Sequence, residues 1–137
     1  MKSFSELSIY NTLADTPDPK RRDFKLVIAG GRSYQFTDID KRSLDTIHLM
    51  LNVTEVVSGG APGADKCGEE WAEFHGIKVT KFEADWAEHG KSAGPKRNAQ
   101  MAEYCDAVAL FPGGKGTSSM MNEAKKAKKE IFDYTHE

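Results

Sequence analysis

Short runs of apolar residues alternate along the chain with longer segments whose apolar positions recur at helical spacing. The short runs predict strands, and their near-continuous apolar character is typical of a parallel sheet buried on both faces. They lie at residues 26–29, 56–57, 77–82, 107–111 and 131–132. Strands that alternate with helices are joined by right-handed crossovers, which leave helices on both faces of the sheet. The pattern therefore predicts an α/β fold, a three-layer sandwich with a mainly parallel sheet.

Start and stop signals place the helices between these strands. Residues 38–51 carry one apolar stripe, and Thr37 stands at the N-cap position before them. Gly76 is placed to end the second helix in the left-handed conformation. Pro95 is suited to the first position of a third helix, and Thr117 is predicted to open the fourth.

Three glycine-rich turns, at residues 30–31, 59–63 and 113–116, each follow a predicted strand. The carboxyl ends of parallel strands share one edge of the sheet, so we expect these turns to gather there, where ligands of such folds bind. In the third turn, Pro112 ends the strand and Thr117 follows the last glycine. Glycines let successive backbone N–H groups converge on one anion, and a helix N-terminus adds a favourable dipole. This turn is therefore predicted to hold a phosphate; the alternative is an ordinary tight connection.

The composition fits one domain that is large enough to bury a core, with 137 residues of which 39% are hydrophobic and 29% charged. Residues 1–23 are predicted to be an N-terminal appendage and linker, and residues 24–137 the ligand-binding domain. The formal net charge of -2 argues against broad attraction to nucleic acid or to anionic membranes. No apolar run approaches the roughly 18 residues that span a bilayer, and no signal peptide is visible, so we expect a cytoplasmic protein.

Cysteine and histidine spacing gives no metal motif. Cys67 and Cys105 lie in predicted helices without a C-x-x-C spacing, which indicates free thiols. They form no recognised zinc-ligand spacing with His75 and His89, so neither a metal site nor a cofactor is predicted.

Three familiar phosphate and hydrolase motifs are missing. The first strand is not followed by G-x-G-x-x-G, which makes a dinucleotide-dependent redox enzyme a poor interpretation. Gly90, Lys91 and Ser92 imitate the end of a Walker A loop, but Asp85 stands where that motif needs its first glycine. These residues belong to a segment, 84–94, that is predicted to be a long connection. No G-x-S-x-G elbow is present.

Residues in and near the glycine turns supply a candidate binding site. Arg97 is suited to a bidentate phosphate contact, with a structural salt bridge as the alternative. Asp65 could accept ribose hydroxyls or merely cap its helix, and Trp86 could stack on a base or pack in the core. Arg32 and Lys91 are anion contacts or solvated surface residues. The predicted ligand-binding residues are Arg32, Gly59, Gly60, Gly63, Asp65, Lys91, Arg97, Asn98, Pro112, Gly113, Gly114, Gly116 and Thr117.

The run Pro112-Gly113-Gly114-Lys115-Gly116-Thr117 resembles the P-G-G-x-G-T signature of the SLOG superfamily. Four further segments resemble its YspA/YpsA-related branch, and these are residues 30–34, 59–65, 84–86 together with 90–91, and 93–101. The resemblance extends over about residues 24–132. It implies a Rossmann-like fold that binds a nucleotide or a nucleotide-derived molecule, as a sensor, carrier or sequestering module. Relatives often form homodimers, so a homodimer or higher homo-oligomer is expected.

The resemblance also implies two alternative functions. LOG phosphoribohydrolases cleave the N-glycosidic bond of nucleoside monophosphates, and their catalytic arginine and the methionine after it match Arg97 and Met101. Their glutamates correspond to Ser119 and Met120, neither of which carries the carboxylate that stabilises an oxocarbenium-like state. Glu123, one helical turn further on, is the substitute candidate, so the catalytic prediction is Arg97 with Glu123. The other alternative is nucleic-acid binding, because the DNA-uptake protein DprA shares the superfamily; the acidic net charge counts against it.

Overall fold

A computed structural model describes residues 23–136. Of the appendage predicted at residues 1–23, all but Asp23 lies outside the described residues. Within residues 23–136 the chain forms a sheet flanked by helices. The strands are β1 (Lys25–Ala29), β2 (Glu55–Ser58), β3 (Lys78–Lys81), β4 (Ala107–Leu110) and β5 (Glu130–Asp133). The α-helices are α1 (Asp38–Leu51), α2 (Ala64–Phe74), α3 (Trp86–His89), α4 (Ala93–Tyr104) and α5 (Lys115–Lys126).

The described strands form one sheet in the order β3-β2-β1-β4-β5, and every neighbouring pair is parallel. The central strand β1 sets the register, since Val27 lies opposite Val57 on β2 and Val108 on β4. The strand order reverses at β1, which is the switch point where ligands of open α/β sheets bind. This topology confirms the predicted Rossmann-like α/β sandwich.

Alternate residues of the strands feed two hydrophobic clusters, one on each face of the sheet, because successive side chains of a strand point to opposite faces. On one face Leu26 and Ile28 pack with residues of α1 and α2, among them Leu44 and Trp71. On the other face Val27, Val57, Val108 and Leu110 pack with α4 and α5 through Met101, Ala102, Met120 and Ala124. The sheet is therefore covered on both sides, and its carboxyl edge stays open for the loops.

Local signals position the helix ends as predicted in two places. The Thr37 side chain accepts a hydrogen bond from the Asp40 N–H at 3.1 Å, and the Asp40 carboxylate accepts from the Thr37 N–H at 2.9 Å. This pair is a capping box, and it satisfies the Thr37 and Asp40 amides at the start of α1. Gly76 follows α2 with φ of 69°, which is the left-handed conformation expected of a helix-ending glycine.

Three sequence-based boundaries are wrong. The segment 84–94, predicted to be a connection, contains α3 and a 3₁₀ turn at Gly90–Ser92, because four-residue helices leave no periodicity to read. Helix α4 begins at Ala93, so Pro95 is its third residue rather than its first. Helix α5 begins at Lys115, which puts Thr117 inside the first turn instead of before it. Cys105, predicted to lie in a helix, instead follows α4 as its C-cap; both cysteines are free, as predicted.

Candidate functional site

A cavity of about 580 Å³ opens at the carboxyl edge of the sheet, beside the glycine-rich turns. Its walls come from the turn after β1, the start of α2, the segment from α3 into α4, and the first two turns of α5. This volume lies in the range of small-molecule sites. The polar side chains of its lining are Arg32, Asp65, Lys91, Arg97, Asn98, Lys115, Thr117 and Ser119.

The N-terminus of α5 faces this cavity without a side-chain cap in the described chain. Its N-cap residue is Gly114, which has no side chain to accept a hydrogen bond from the first turn. The N–H groups of Lys115, Gly116 and Thr117 have no acceptor within the helix, as is true of every helix start. Gly114 to Thr117 all line the cavity. The helix therefore presents free donors and the positive end of its dipole to whatever occupies the cavity.

The hydroxyl of Thr117 is a buried donor without a partner. Thr117 is 6% exposed, and its Oγ1 makes no hydrogen bond to any described residue. A buried polar group left unsatisfied costs about 1–3 kcal/mol. Thr117 itself lines the cavity, and its hydroxyl lies beside Gly113 in the turn that precedes the helix.

Two of the predicted ligand-binding glycines instead allow close packing between turns. A Cβ at Gly113 would lie 2.6 Å from the Gly31 nitrogen, and the Gly31 N–H donates to the Pro112 carbonyl at 2.8 Å. Gly63, with φ of 79°, packs against the backbone of Gly31 and Arg32. Neither Gly63 nor Gly113 lines the cavity. Their absent side chains let the three turns converge and so fix the cavity's shape.

Arg97 on α4 bridges the ends of β2 and β3. Its Nη1 donates to the carbonyl of Gly59 at 2.8 Å and to that of Phe82 at 3.3 Å, while Nε donates to the Asn98 side chain at 3.0 Å. Burial lowers the pKa of Arg97, and the charge of Asp65 partly offsets this. Arg97 lines the cavity and forms no ion pair with any described carboxylate. The guanidinium is thus held in place by backbone carbonyls, and the nearby charge of Asp65 compensates its positive charge only in part.

Asp65 is a buried carboxyl in the same wall. It is 7% exposed, and its Oδ2 accepts a hydrogen bond from the Ala61 N–H at 3.2 Å. Burial raises the pKa of Asp65 to about 6, with Glu69 adding to the rise, although the Ala61 hydrogen bond and the charge of Arg97 oppose it. A carboxyl with this pKa exchanges a proton near neutral pH, which is the property of an acid–base group.

Asn98 connects the two helices that border the cavity. Its Nδ2 donates to the Ser119 hydroxyl at 3.1 Å and lies 3.5 Å from the carbonyl of Gly116. Because its Oδ1 also accepts from Arg97, Asn98 ties the guanidinium to the first turns of α5. The predicted ligand residue Asn98 is therefore buried in the framework of the site, with only part of it facing the cavity.

The lining is strongly basic although the chain has a formal net charge of -2. Four basic residues and one acidic residue, Asp65, line the cavity. Arg32, Lys91 and Lys115 are exposed at its mouth, whereas Arg97 is half-buried. A cavity with this charge balance attracts anions.

The structure brings most, but not all, of the predicted ligand residues to the cavity. Those that line it are Arg32, Asp65, Lys91, Arg97, Asn98, Gly114, Gly116 and Thr117. Those that do not are Gly59, Gly60, Gly63, Pro112 and Gly113. The catalytic candidate Glu123 is also outside the lining, and its carboxylate lies 3.7 Å from the Lys126 ammonium. The geometry therefore gives Glu123 no role at the cavity.

Sequence reasoning missed lining residues that the structure identifies. Lys115 occupies the variable position of the P-G-G-x-G-T run, so the motif gave no reason to select it. The LOG resemblance had pointed to the positions of Met101, Ser119 and Met120, although they were not predicted to bind the ligand. The remaining missed residues are Ala29, Gly30, Gly31, Ala61, Gly94 and Pro95.

No group of three or more metal-binding side chains occurs within residues 23–136. None of the helices in that range is long and apolar enough to cross a membrane.

Comparison with known proteins gives the family. The family model for YAcAr, the YspA, cpYpsA-related SLOG family, matches residues 24–89. The Gene 61 protein of Mycobacterium phage D29 is 34% identical over 119 residues, covering 80% of this chain and 95% of that protein. The chain belongs to the YspA, cpYpsA-related SLOG family. The predicted membership of the YspA/YpsA-related branch is thereby confirmed, and it supports a general nucleotide-related function.

Two solved structures share the fold of this SLOG-family chain. DNA processing protein A (DprA) from Streptococcus pneumoniae has a TM-score of 0.63 at 18% identity, covering 81% of this chain and 50% of that chain. The protein TM1055 has a TM-score of 0.54 at 21% identity, covering 79% of this chain and 72% of that chain. The chain thus spans half the length of the DprA chain. At these identities the likeness shows a shared fold.

Proposed function

We propose that this protein binds a nucleotide or nucleotide-derived ligand whose phosphate is held at the N-terminus of α5. The observation that carries the proposal is the Thr117 hydroxyl, which is buried in the cavity lining without a partner among the described residues. It lies in the same helical turn as the free N–H groups of Lys115 and Gly116. A phosphate accepts from several such donors at once, and the helix dipole favours its charge.

The charge and size of the cavity agree with a ligand of this class. Arg32, Lys91 and Lys115 bring exposed positive charge to the mouth, and the half-buried Arg97 adds a charge inside. A volume of about 580 Å³ is large for a lone phosphate and lies within the range of sites for complete small molecules. The ligand is therefore a phosphorylated organic molecule. Membership of the SLOG family supports a nucleotide.

Binding without turnover is the mode that the lining favours. Cleavage of an N-glycosidic bond needs a carboxylate near the developing positive charge. The two positions that correspond to glutamates of the LOG hydrolases are Ser119 and Met120, and both line the cavity without charge. Glu123 does not line it. We infer that the protein works as a sensor, carrier or sequestering module.

One observation favours the hydrolase as a second candidate. Asp65 lines the cavity and has a pKa of about 6, so it could supply the missing carboxylate. Its Oδ2 already accepts from the Ala61 N–H, which fits a structural role better than a reactive one. Nucleic-acid binding has less support, because the chain has a formal net charge of -2. A homo-oligomer and a cytoplasmic location stay predictions.

Calorimetric titration with adenosine monophosphate, ribose 5-phosphate and adenosine tests the proposal. Both phosphorylated compounds should bind, and adenosine should bind much more weakly. Thr117→Val keeps the shape of the side chain but removes the hydroxyl. It should therefore lower the affinity for both phosphorylated compounds by about fivefold, equivalent to about 1 kcal/mol.

The matched control is Thr80→Val, because the Thr80 hydroxyl donates to Glu55 at 2.7 Å and is not part of the cavity lining. It should leave affinity unchanged. Absence of binding by both phosphorylated compounds would overturn the proposal, as would equal weakening by the two valine variants. Release of free adenine after incubation with the monophosphate would favour the hydrolase instead.

A further inference from the structure

One exposed aromatic side chain stands at the cavity. The large hydrophobic residues that are exposed in the described chain are Ile39, Leu49, Met50, Leu51, Phe74, Trp86 and Tyr104. Of these, Trp86 alone lines the cavity, and it is 59% exposed. An indole left this open to water beside a site of small-molecule size is positioned to receive the apolar face of a ligand.

The local structure holds this indole against the wall of the cavity. Trp86 is the first residue of α3, whose N-cap Asp85 accepts from the Glu88 N–H at 3.0 Å. The tip of the indole, Cη2, lies against Gly94, at 3.4 Å from where a Cβ of that residue would be. Gly94 is one turn before Asn98 on the same face of α4, about 6 Å along the axis. Since Asn98 contacts Gly116, the indole lies along the wall that leads to the phosphate-binding turn.

The chain's other tryptophan shows what a packed indole looks like in this fold. Trp71 is 6% exposed, lies within a hydrophobic cluster, and donates from Nε1 to Asp45 at 2.9 Å. Trp86 belongs to neither hydrophobic cluster, and its Nε1 has no hydrogen-bond partner among residues 23–136. Core packing therefore does not explain Trp86.

Resting on the proposed function, we infer that Trp86 stacks on an aromatic base of the ligand. The ligand class is then a nucleoside phosphate rather than a sugar phosphate. Stacking of one base on an aromatic side chain contributes about 5- to 150-fold to affinity, and it discriminates little between bases because every base has a π-face. Binding should accordingly depend on the presence of a base more than on its identity.

Titration of Trp86→Ala and Trp86→Phe with adenosine monophosphate and ribose 5-phosphate tests the inference. Trp86→Ala should lower the affinity for the monophosphate by about 5- to 150-fold and leave the affinity for ribose 5-phosphate unchanged. Trp86→Phe should retain most of the affinity, because a phenyl ring still stacks. The matched control is Phe74→Ala, which removes an aromatic ring that is 86% exposed and outside the cavity. It should change neither ligand.

Intrinsic fluorescence gives a second readout. The monophosphate should quench the emission of the wild-type protein, ribose 5-phosphate should not, and Trp86→Phe, which retains Trp71, should lose the response. Equal loss of both ligands in Trp86→Ala, or unchanged affinity for the monophosphate, overturns stacking while leaving phosphate binding intact. Failure of the wild-type protein to bind either compound instead overturns the proposed function, and this inference with it.

Discussion

Helices α1 and α5 both start just after strands at the middle of the sheet, yet their N-termini are built in opposite ways. At α1 the Thr37 and Asp40 side chains and backbones satisfy each other, and the Asp40 carboxylate also accepts from the Tyr34 hydroxyl at 2.6 Å. At α5 the N-cap is Gly114, and the buried Thr117 hydroxyl has no partner in the described chain. The start of α1 is capped by its own side chains and is called closed, whereas the start of α5 has no side-chain cap and is called open.

The two helix starts therefore have different consequences for stability and for ligand binding. A capping box contributes stability by satisfying the N-cap and N3 amides, so it leaves fewer donors for a ligand. An uncapped start with a buried free hydroxyl sacrifices stability, and the loss is recovered only when something binds. Because natural sequences give up stability mainly at functional sites, the open start of α5 is the better candidate for a binding site.

The largest effect on stability should come from adding a side chain at Gly113, where the turn before α5 packs closely against the turn after β1. A Cβ at Gly113 would meet the Thr117 hydroxyl and, at 2.6 Å, the Gly31 backbone, so Gly113→Ala should destabilise the fold by about 2–3 kcal/mol. Chemical denaturation measures this. Gly116→Ala is the control, because nothing lies within 4 Å of a Cβ there and alanine favours helix by about 0.5–1 kcal/mol. A neutral Gly113→Ala would show that the turns do not depend on their close contact.

The next effect is electrostatic and concerns Asp65. The folded state keeps this proton up to about pH 6, whereas an unfolded aspartate releases it near 3.8. Protonation therefore stabilises the folded state, and this contribution is lost as pH rises from about 4 to about 6. The unfolding free energy of the wild type relative to Asp65→Asn should fall by on the order of 2 kcal/mol between pH 4 and pH 7. Parallel pH profiles for the two proteins would contradict the raised pKa.

Removing the cap of α1 should lower the stability by a smaller amount and leave the affinity for the ligand unchanged. Thr37→Ala removes the cap of α1 and should lower the free energy of unfolding by about 1 kcal/mol. Affinity for ribose 5-phosphate should not change, because Thr37 lies outside the cavity lining. Thr46→Ala, on the same helix, serves as the control, with an expected effect under about 0.5 kcal/mol. A drop in affinity for Thr37→Ala would mean that the two helix starts are not independent.

The smallest effect has the opposite sign. Thr117→Val removes a buried hydroxyl that lacks a partner, so the ligand-free protein should become more stable by up to about 1 kcal/mol. Thr80→Val loses a satisfied hydrogen bond to Glu55 and should become less stable by about the same amount. Thermal unfolding of the two variants without ligand distinguishes these cases. Destabilisation by Thr117→Val would indicate that the hydroxyl has a partner after all.

Most of the fold could be read from the sequence, because its strands are short continuous apolar runs separated by glycine turns. The capping box at α1 and Gly76 after α2 were also readable, since each depends on residues that are close together in sequence. Helix α3 and the start of α4 were not, because four residues carry no periodicity and Pro95 is compatible with several positions of a first helical turn.

The site was predictable only as far as local motifs reach. The P-G-G-x-G-T run led to Gly114, Gly116 and Thr117, which do line the cavity. The same run could not reveal that Gly113 packs against Gly31, eighty-two positions away, instead of facing a ligand. The missing partner of Thr117 and the exposure of Trp86 are likewise properties of tertiary structure, and no sequence pattern encodes them.

The most direct test of the difference between the two helix starts is to measure backbone amide chemical shifts while ribose 5-phosphate is added to ¹⁵N-labelled protein. Free donors that bind a phosphate shift strongly, and satisfied donors do not. We predict large, saturable shifts of the Gly116 and Thr117 amides, with the Thr37 and Asp40 amides of the α1 capping box unchanged. Saturable binding that leaves the amides of α5 unshifted would contradict it.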